Sequence, residues 1–95
     1  MHRYWVYIVG NKGATSVYIG VTNDIRRRIA EHKMGEIPGF TQRYKCDRLL
    51  YFEEHIDIKN AIAREKELKG WKRKRKESLI ATINPHRLDL ASDWF

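Results

Sequence analysis

Cysteine is nearly absent from this chain: Cys46 is the only one in 95 residues. That excludes an internal disulfide and a zinc site built from several cysteines. It suits a reducing, intracellular setting. Long apolar runs are absent too. Nothing approaches the ~20 residues of a membrane span, so no membrane partner is expected. The start, Met1-His2-Arg3-Tyr4-Trp5, has no long apolar signal segment, which argues against export and for a cytoplasmic protein. Internal repeats and low-complexity linkers are also missing, and the length suits one small domain over residues 1–95.

Acidic residues are in short supply. Twelve Asp and Glu face 19 Lys and Arg, a formal net charge of +7. That balance favours a polyanionic partner, nucleic acid first. Three common catalytic signatures are missing. There is no Gly-x-x-x-x-Gly-Lys phosphate loop, no Gly-x-Ser-x-Gly elbow and no His-Glu-x-x-His metal helix.

What is present starts with residues 3–9, rich in β-formers, which read as a strand. Gly10-Asn11-Lys12-Gly13 signals a turn, and residues 16–20 form a second strand, so the pair predicts a hairpin. Trp5, Tyr7 and Val9 share one face of the first strand; Ser16, Tyr18 and Gly20 share one face of the second. Whether these faces coincide depends on a register that local pattern leaves open.

Thr22, Asn23 and Asp24 are all good helix caps, so a helix starts there and fades near Met34-Gly35. Ile25, Arg28, Ile29 and His32 have the spacing of a buried stripe. One arginine and one histidine are therefore set toward the core, while Arg26, Arg27, Ala30 and Lys33 point elsewhere. Residues 36–45, with a Pro-Gly breaker, read as an ordered loop carrying Thr41, Arg43, Tyr44 and Lys45. Residues 48–54 read as a third strand. Asp57 caps a second helix running to about Lys69, on whose inner stripe Glu65 lies. A carboxylate there must be paired, Arg28 being one partner to consider, or protonated, or bound to a metal. After a break at Gly70 a third helix is predicted from about Lys72 to Ile83, ended by Pro85. The tail carries Leu88, Leu90, Trp94 and Phe95 and is expected to dock on the body.

One charge block stands out, Lys72-Arg73-Lys74-Arg75-Lys76, read as a phosphate-contacting edge with its stems along Trp71. The unusual polar groups form a chemically coherent set. An arginine can hold a phosphate oxygen and offset transition-state charge. A single carboxylate can hold a hydrated Mg²⁺. A tyrosine or histidine can move a proton to or from water. Metal-assisted phosphodiester hydrolysis needs such a set.

With these residues in order, the chain resembles the small single-domain bacterial members of the GIY-YIG nuclease superfamily. Tyr18-Ile19-Gly20 matches the second half-motif. Where the family has Gly-Ile-Tyr, this chain has Trp5-Val6-Tyr7 and keeps only the tyrosine. Arg28 follows Tyr18 at the family's spacing, His32 comes one turn later, Arg64-Glu65 matches the metal-binding helix, and Asn84 is the best counterpart of a late asparagine.

The resemblance implies an α+β fold, a three-stranded antiparallel sheet flanked by helices. It implies one divalent metal ion, Mg or Mn, held by Glu65. It implies water attack on a phosphodiester, with Tyr7 as base or relay, Arg28 stabilising the phosphorane-like state, and Tyr18 and His32 positioning water or phosphate. Gly20 and Asn84 would serve structure or the active site. The expected partner is DNA, in branched, nicked or single-stranded forms, with repair or recombination as the setting. Contacts would come from Arg43, Lys45 and the block from Lys72 to Lys76. The alternative is a non-catalytic nucleic-acid-binding or interaction module on the same fold.

Overall fold

The structure is a computed structural model that describes residues 2–95. In chain order the elements are β1 (Tyr4–Gly10), β2 (Val17–Thr22), α1 (Ile25–Lys33), α2 (Phe40–Arg43), β3 (Arg48–His55), α3 (Ile58–Lys69) and α4 (Arg73–Ala81). The strands form one antiparallel sheet in the order β2-β1-β3. This is the α+β class and the three-stranded sheet that the resemblance implies.

β1 is the central strand, which explains its unbroken run of β-formers. Its side chains alternate between two cores and are buried on both faces. Val6 and Ile8 join Ile19, Leu50, Tyr51, Ala61, Leu68 and Ile80 on the α3–α4 side. Tyr7 and Val9 join Ile29, Cys46, Leu49 and Ala91 on the α1 side. The register between β1 and β3 shifts between Ile8 and Val9. The extra residue lets Leu50 and Tyr51, neighbours in sequence, both enter the α3–α4 core.

The open question of the hairpin register is answered by the pairing. Tyr7 lies opposite Gly20, and Val9 opposite Tyr18. The two tyrosines therefore project to the same side of the sheet, the side that α1 covers.

Helix α1 begins after Asp24, whose Oδ1 accepts from the Arg27 backbone N–H at 3.1 Å. Helix α3 is capped by Asp57 as expected, with Oδ1 accepting from Lys59 N at 2.7 Å. The predicted stripe of α1 is the observed one: Ile29 and His32 are buried, Ile25 and Arg28 partly so. One element differs from expectation. The region read as loop contains α2, only 4 residues long and entered through Gly39 at φ 94°. A single turn is too short for hydrophobic periodicity to betray it. The last helix spans Arg73–Ala81 within the expected range of about Lys72 to Ile83, with Lys72 extended as its N-cap and Thr82 as its C-cap.

The tail docks, as its apolar residues suggest. Leu90 N–H donates to Leu49 O at 2.8 Å, and Asp89 Oδ1 accepts from the Leu49 N–H at 3.1 Å. Lys33 forms an ion pair with Asp89. Lys33 lies off the inward stripe of α1, and from there it ties the helix to the tail.

Candidate active site

The pairing of Tyr7 with Gly20 sets the centre of the site. A Cβ on Gly20 would lie 2.5 Å from Tyr7 Cζ and 2.9 Å from its Cε1. Glycine at this position makes room for the phenol ring. Tyr7 Oη then meets His32 Nε2 at 2.9 Å, and the two rings pack edge to face at 5.4 Å. Strand and helix thus place a phenol and an imidazole, 25 residues apart in sequence, in one buried hydrogen bond.

Burial governs both groups. The His32 imidazole is pushed down to about 4, chiefly by burial and then by the nearby Arg28 charge. It is neutral at physiological pH. The Tyr7 phenol is pushed well above its ordinary range by burial; Arg28 opposes the shift, while Tyr18, Glu31 and Glu65 add to it. Both partners are neutral, so the phenol O–H can donate to Nε2. The far nitrogen, Nδ1, is buried with no partner among the described residues.

Tyr18 stands beside this pair, its ring 5.9 Å from that of His32. Lys69 Nζ lies 5.8 Å from the Tyr18 ring centre, and the same ammonium is 3.2 Å from Glu65 Oε2. That links α3 to the tyrosines, although α3 packs on the other face of the sheet. Arg28 carries Nε 3.6 Å from Glu31 Oε1, with about a third of its side chain exposed. That separation is an ion pair but too long for a hydrogen bond, and Nε has no hydrogen-bond partner among the described residues. Arg28 also lines a groove of about 280 Å³ with Tyr4, Val21, Thr22, Ile58 and Ile62, between α1 and α3.

The ion pair considered between Glu65 and Arg28 is not formed; each carboxylate and guanidinium pairs within its own helix. The reason is local reach. Residues three and four apart on one helix are neighbours whatever the tertiary fold does. Glu31 and Lys69 are thus two site groups that the sequence reading passed over and that this spacing could have found.

Glu65 has 16% of its side chain exposed, and among the described residues it is held by the half-exposed Lys69. Among the described residues no group of three or more His, Cys, Asp or Glu gathers that could hold a metal. A single carboxylate is compatible with a hard, hydrated cation such as Mg²⁺ or Mn²⁺, which fills its remaining positions with water and phosphate oxygens. It does not fit a zinc-type cage.

The basic block divides. Arg73 donates to Thr15 O at 3.1 Å and Ala14 O at 2.7 Å, and its Nε is 3.0 Å from Glu77. It fastens α4 to the β1–β2 loop. Lys72, Lys74 and Arg75 are exposed and Lys76 is partly so. Lys72, Lys74 and Arg75 line an open groove of about 560 Å³ around Trp71. Arg75 stacks on the Trp71 ring at 3.8 Å. Arg43 and Lys45 are exposed at and just after α2. Lys45 borders a cleft that His32 also lines. Asn84 is buried and committed to backbone: its amide nitrogen donates to Leu50 O and Leu88 O, and its Oδ1 accepts from Leu88 N at 2.9 Å. These bonds tie the end of α4 to β3 and to the tail.

The GIY-YIG catalytic domain, as a family, matches this chain over residues 3–78. A UPF0213 protein of Haloquadratum walsbyi is 36% identical over 76 residues, covering 80% of this chain and 84% of its own length. A UPF0213 protein of Staphylococcus saprophyticus is 35% identical over 82 residues, covering 85% and 98%. The solution NMR structure of a UPF0213 protein from Bacillus halodurans is similar with a TM-score of 0.58 and 28% identity, covering 96% of this chain and 97% of that one.

Proposed function

The chain belongs to the GIY-YIG catalytic-domain family, and on that footing we propose that it is a metal-dependent endonuclease that hydrolyses DNA phosphodiester bonds, directed by DNA structure rather than sequence. The observation that carries this reading is the buried hydrogen bond between Tyr7 Oη and His32 Nε2, with Arg28 and Glu65 among the charges acting on it.

A phenol held protonated by burial is a poor base by itself. Tyr7 can take a proton from water only as it releases its own. Neutral His32 stands where that proton must go, at Nε2. An arriving phosphodiester brings negative charge, which favours the imidazolium so formed. Arg28 has guanidinium donors free for a non-bridging oxygen and offsets the charge that builds in the transition state. Tyr18 positions water or phosphate beside the pair. Glu65 would hold the divalent ion, which when bound supplies Lewis-acid stabilisation of phosphate charge. Lys69, Lys72, Lys74, Arg75 and Lys76 run along α3 and α4 as the phosphate-contacting edge.

The test uses purified protein with branched, nicked, single-stranded and duplex DNA in Mg²⁺, Mn²⁺ or EDTA. Cleavage in either metal and none in EDTA is expected. Binding without cleavage in every condition would replace the enzyme by the non-catalytic module.

A further inference from the structure

Helix α2 and its C-cap turn two large aromatic side chains outward. Phe40 is 45% exposed and Tyr44 42% exposed. They are four residues apart and share one face, with ring centres 4.7 Å apart. Between them, Thr41 is buried and Gln42 donates to Gly35 O at 2.8 Å, so the turn is fastened from the other side. Cys46 N–H, donating to Thr41 O at 2.9 Å, closes it again. The two rings thus stand in solvent on a turn that is fastened from its other side.

Their place is what matters. Phe40 lies over Tyr18 with planes only 27° apart and centres 6.5 Å apart. Lys69 stands over the same Tyr18 ring. Arg43 lies 5.6 Å from the Tyr44 ring centre, and Lys45 follows it in sequence. An aromatic surface therefore continues directly from a proposed catalytic tyrosine and is edged by cations. Apolar rings bordered by positive charge suit a planar, uncharged π-system attached to phosphate.

We propose that Phe40 and Tyr44 form a stacking platform for the nucleobase next to the phosphate being cleaved. The inference rests on the nuclease reading above and adds to it a subsite outside the tyrosine, arginine and glutamate set. The base must be out of its duplex stack to offer a free face. Every base has such a face, so the platform positions a nucleotide without selecting its identity.

The test compares wild type with Phe40→Leu/Tyr44→Leu, which keeps apolar bulk and removes the π-faces, and with Phe40→Trp/Tyr44→Trp, which restores them. Substrates are one cleaved oligonucleotide and the same strand made abasic at each position around the cut. Wild type should lose roughly tenfold or more in kcat/KM when one flanking base is removed. The Leu variant should show that loss on the intact strand and no further loss on the abasic one. The Trp variant should cleave like wild type.

A Leu variant that cleaves like wild type, or losses that simply multiply, overturns the platform and leaves the nuclease reading standing. If wild type binds without cleaving, the enzyme reading fails and the platform is read from 2-aminopurine fluorescence in the bound strand. Quenching in wild type and its loss in the Leu variant support the platform; equal signals overturn it. Wild type that binds none of these strands overturns both. A wild-type dimer that the Leu variant dissolves assigns the face to self-association instead and overturns the platform.

Discussion

Gly20 and Tyr7 face each other across the β1–β2 pair so closely that a single methyl group on Gly20 would overlap the phenol ring. The glycine of the Tyr-Ile-Gly motif is thus a spatial requirement of the other strand's tyrosine. Gly20→Ala must push that ring away or open the strands. Overpacking of this kind costs about 1–3 kcal/mol. Urea unfolding of Gly20→Ala should show a loss in that range, and nuclease activity should fall with it. Adding Tyr7→Ala should make the two stability losses less than additive, because the clash has gone. Strict additivity would show that Tyr7 is not what Gly20 accommodates.

His32 gives the fold a specific pH dependence. Its pKa is pushed from an ordinary 6.5 to about 4 in the folded chain. Between those values the unfolded chain binds the extra proton, so stability rises with pH there. The contribution is complete above about 6.5 and is lost as pH falls toward 4, about 3 kcal/mol in all. Denaturant midpoints measured across that window should slope steeply for wild type and much less for His32→Gln. Equal slopes would place the titrating group elsewhere.

Arg28→Lys should fold and bind DNA yet lose nearly all cleavage. Lysine keeps the charge but not the planar fork of donors. Its stability should change little, since the pair with Glu31 is partly exposed and lysine can still approach it. Arg27→Lys, on the exposed side of the same turn, should cleave like wild type. Matching losses in the two variants would show that charge alone matters.

Glu65→Gln separates a metal-binding role from a structural one. The carboxylate's partner is Lys69, whose side chain is half exposed and free to hydrate. Thermal melts should therefore shift little, equivalent to roughly 0.5 kcal/mol or less. Any added stability that wild type gains from Mg²⁺ should vanish, and so should cleavage, while DNA binding persists. A strongly destabilised variant whose folded fraction still cleaves would remove Glu65 from the metal site.

The basic block should behave as two sets. Lys72→Ala/Lys74→Ala should weaken all DNA sequences alike and flatten the dependence of log affinity on log salt by up to about 1.8, near 0.9 per phosphate contact. Arg73→Ala should instead reduce stability, because its guanidinium holds Ala14 O and Thr15 O. Filter binding across salt concentrations and urea melts distinguish the two. A salt slope unchanged by the lysine pair would move the DNA path off this edge.

Much of this molecule is decided by order over short distances. The strand runs, a helix start within Thr22–Asp24, the cap at Asp57, and the inward stripe of Ile25, Arg28, Ile29 and His32 follow from period and local hydrogen bonding. Each involves neighbours within a few residues, so chain order alone specifies them. The pairs Arg28–Glu31 and Lys69–Glu65 are of this kind as well, and helical spacing is enough to propose them. Which distant groups meet is set by long-range packing instead. The register that seats Tyr7 on Gly20, the bond from Tyr7 to His32, the anchoring of Arg73 on the β1–β2 loop and the platform beside Tyr18 all join separate elements. Slipping one strand by one residue would turn either tyrosine to the opposite face without altering any local preference, so these contacts are fixed by packing of the whole sheet between its helices.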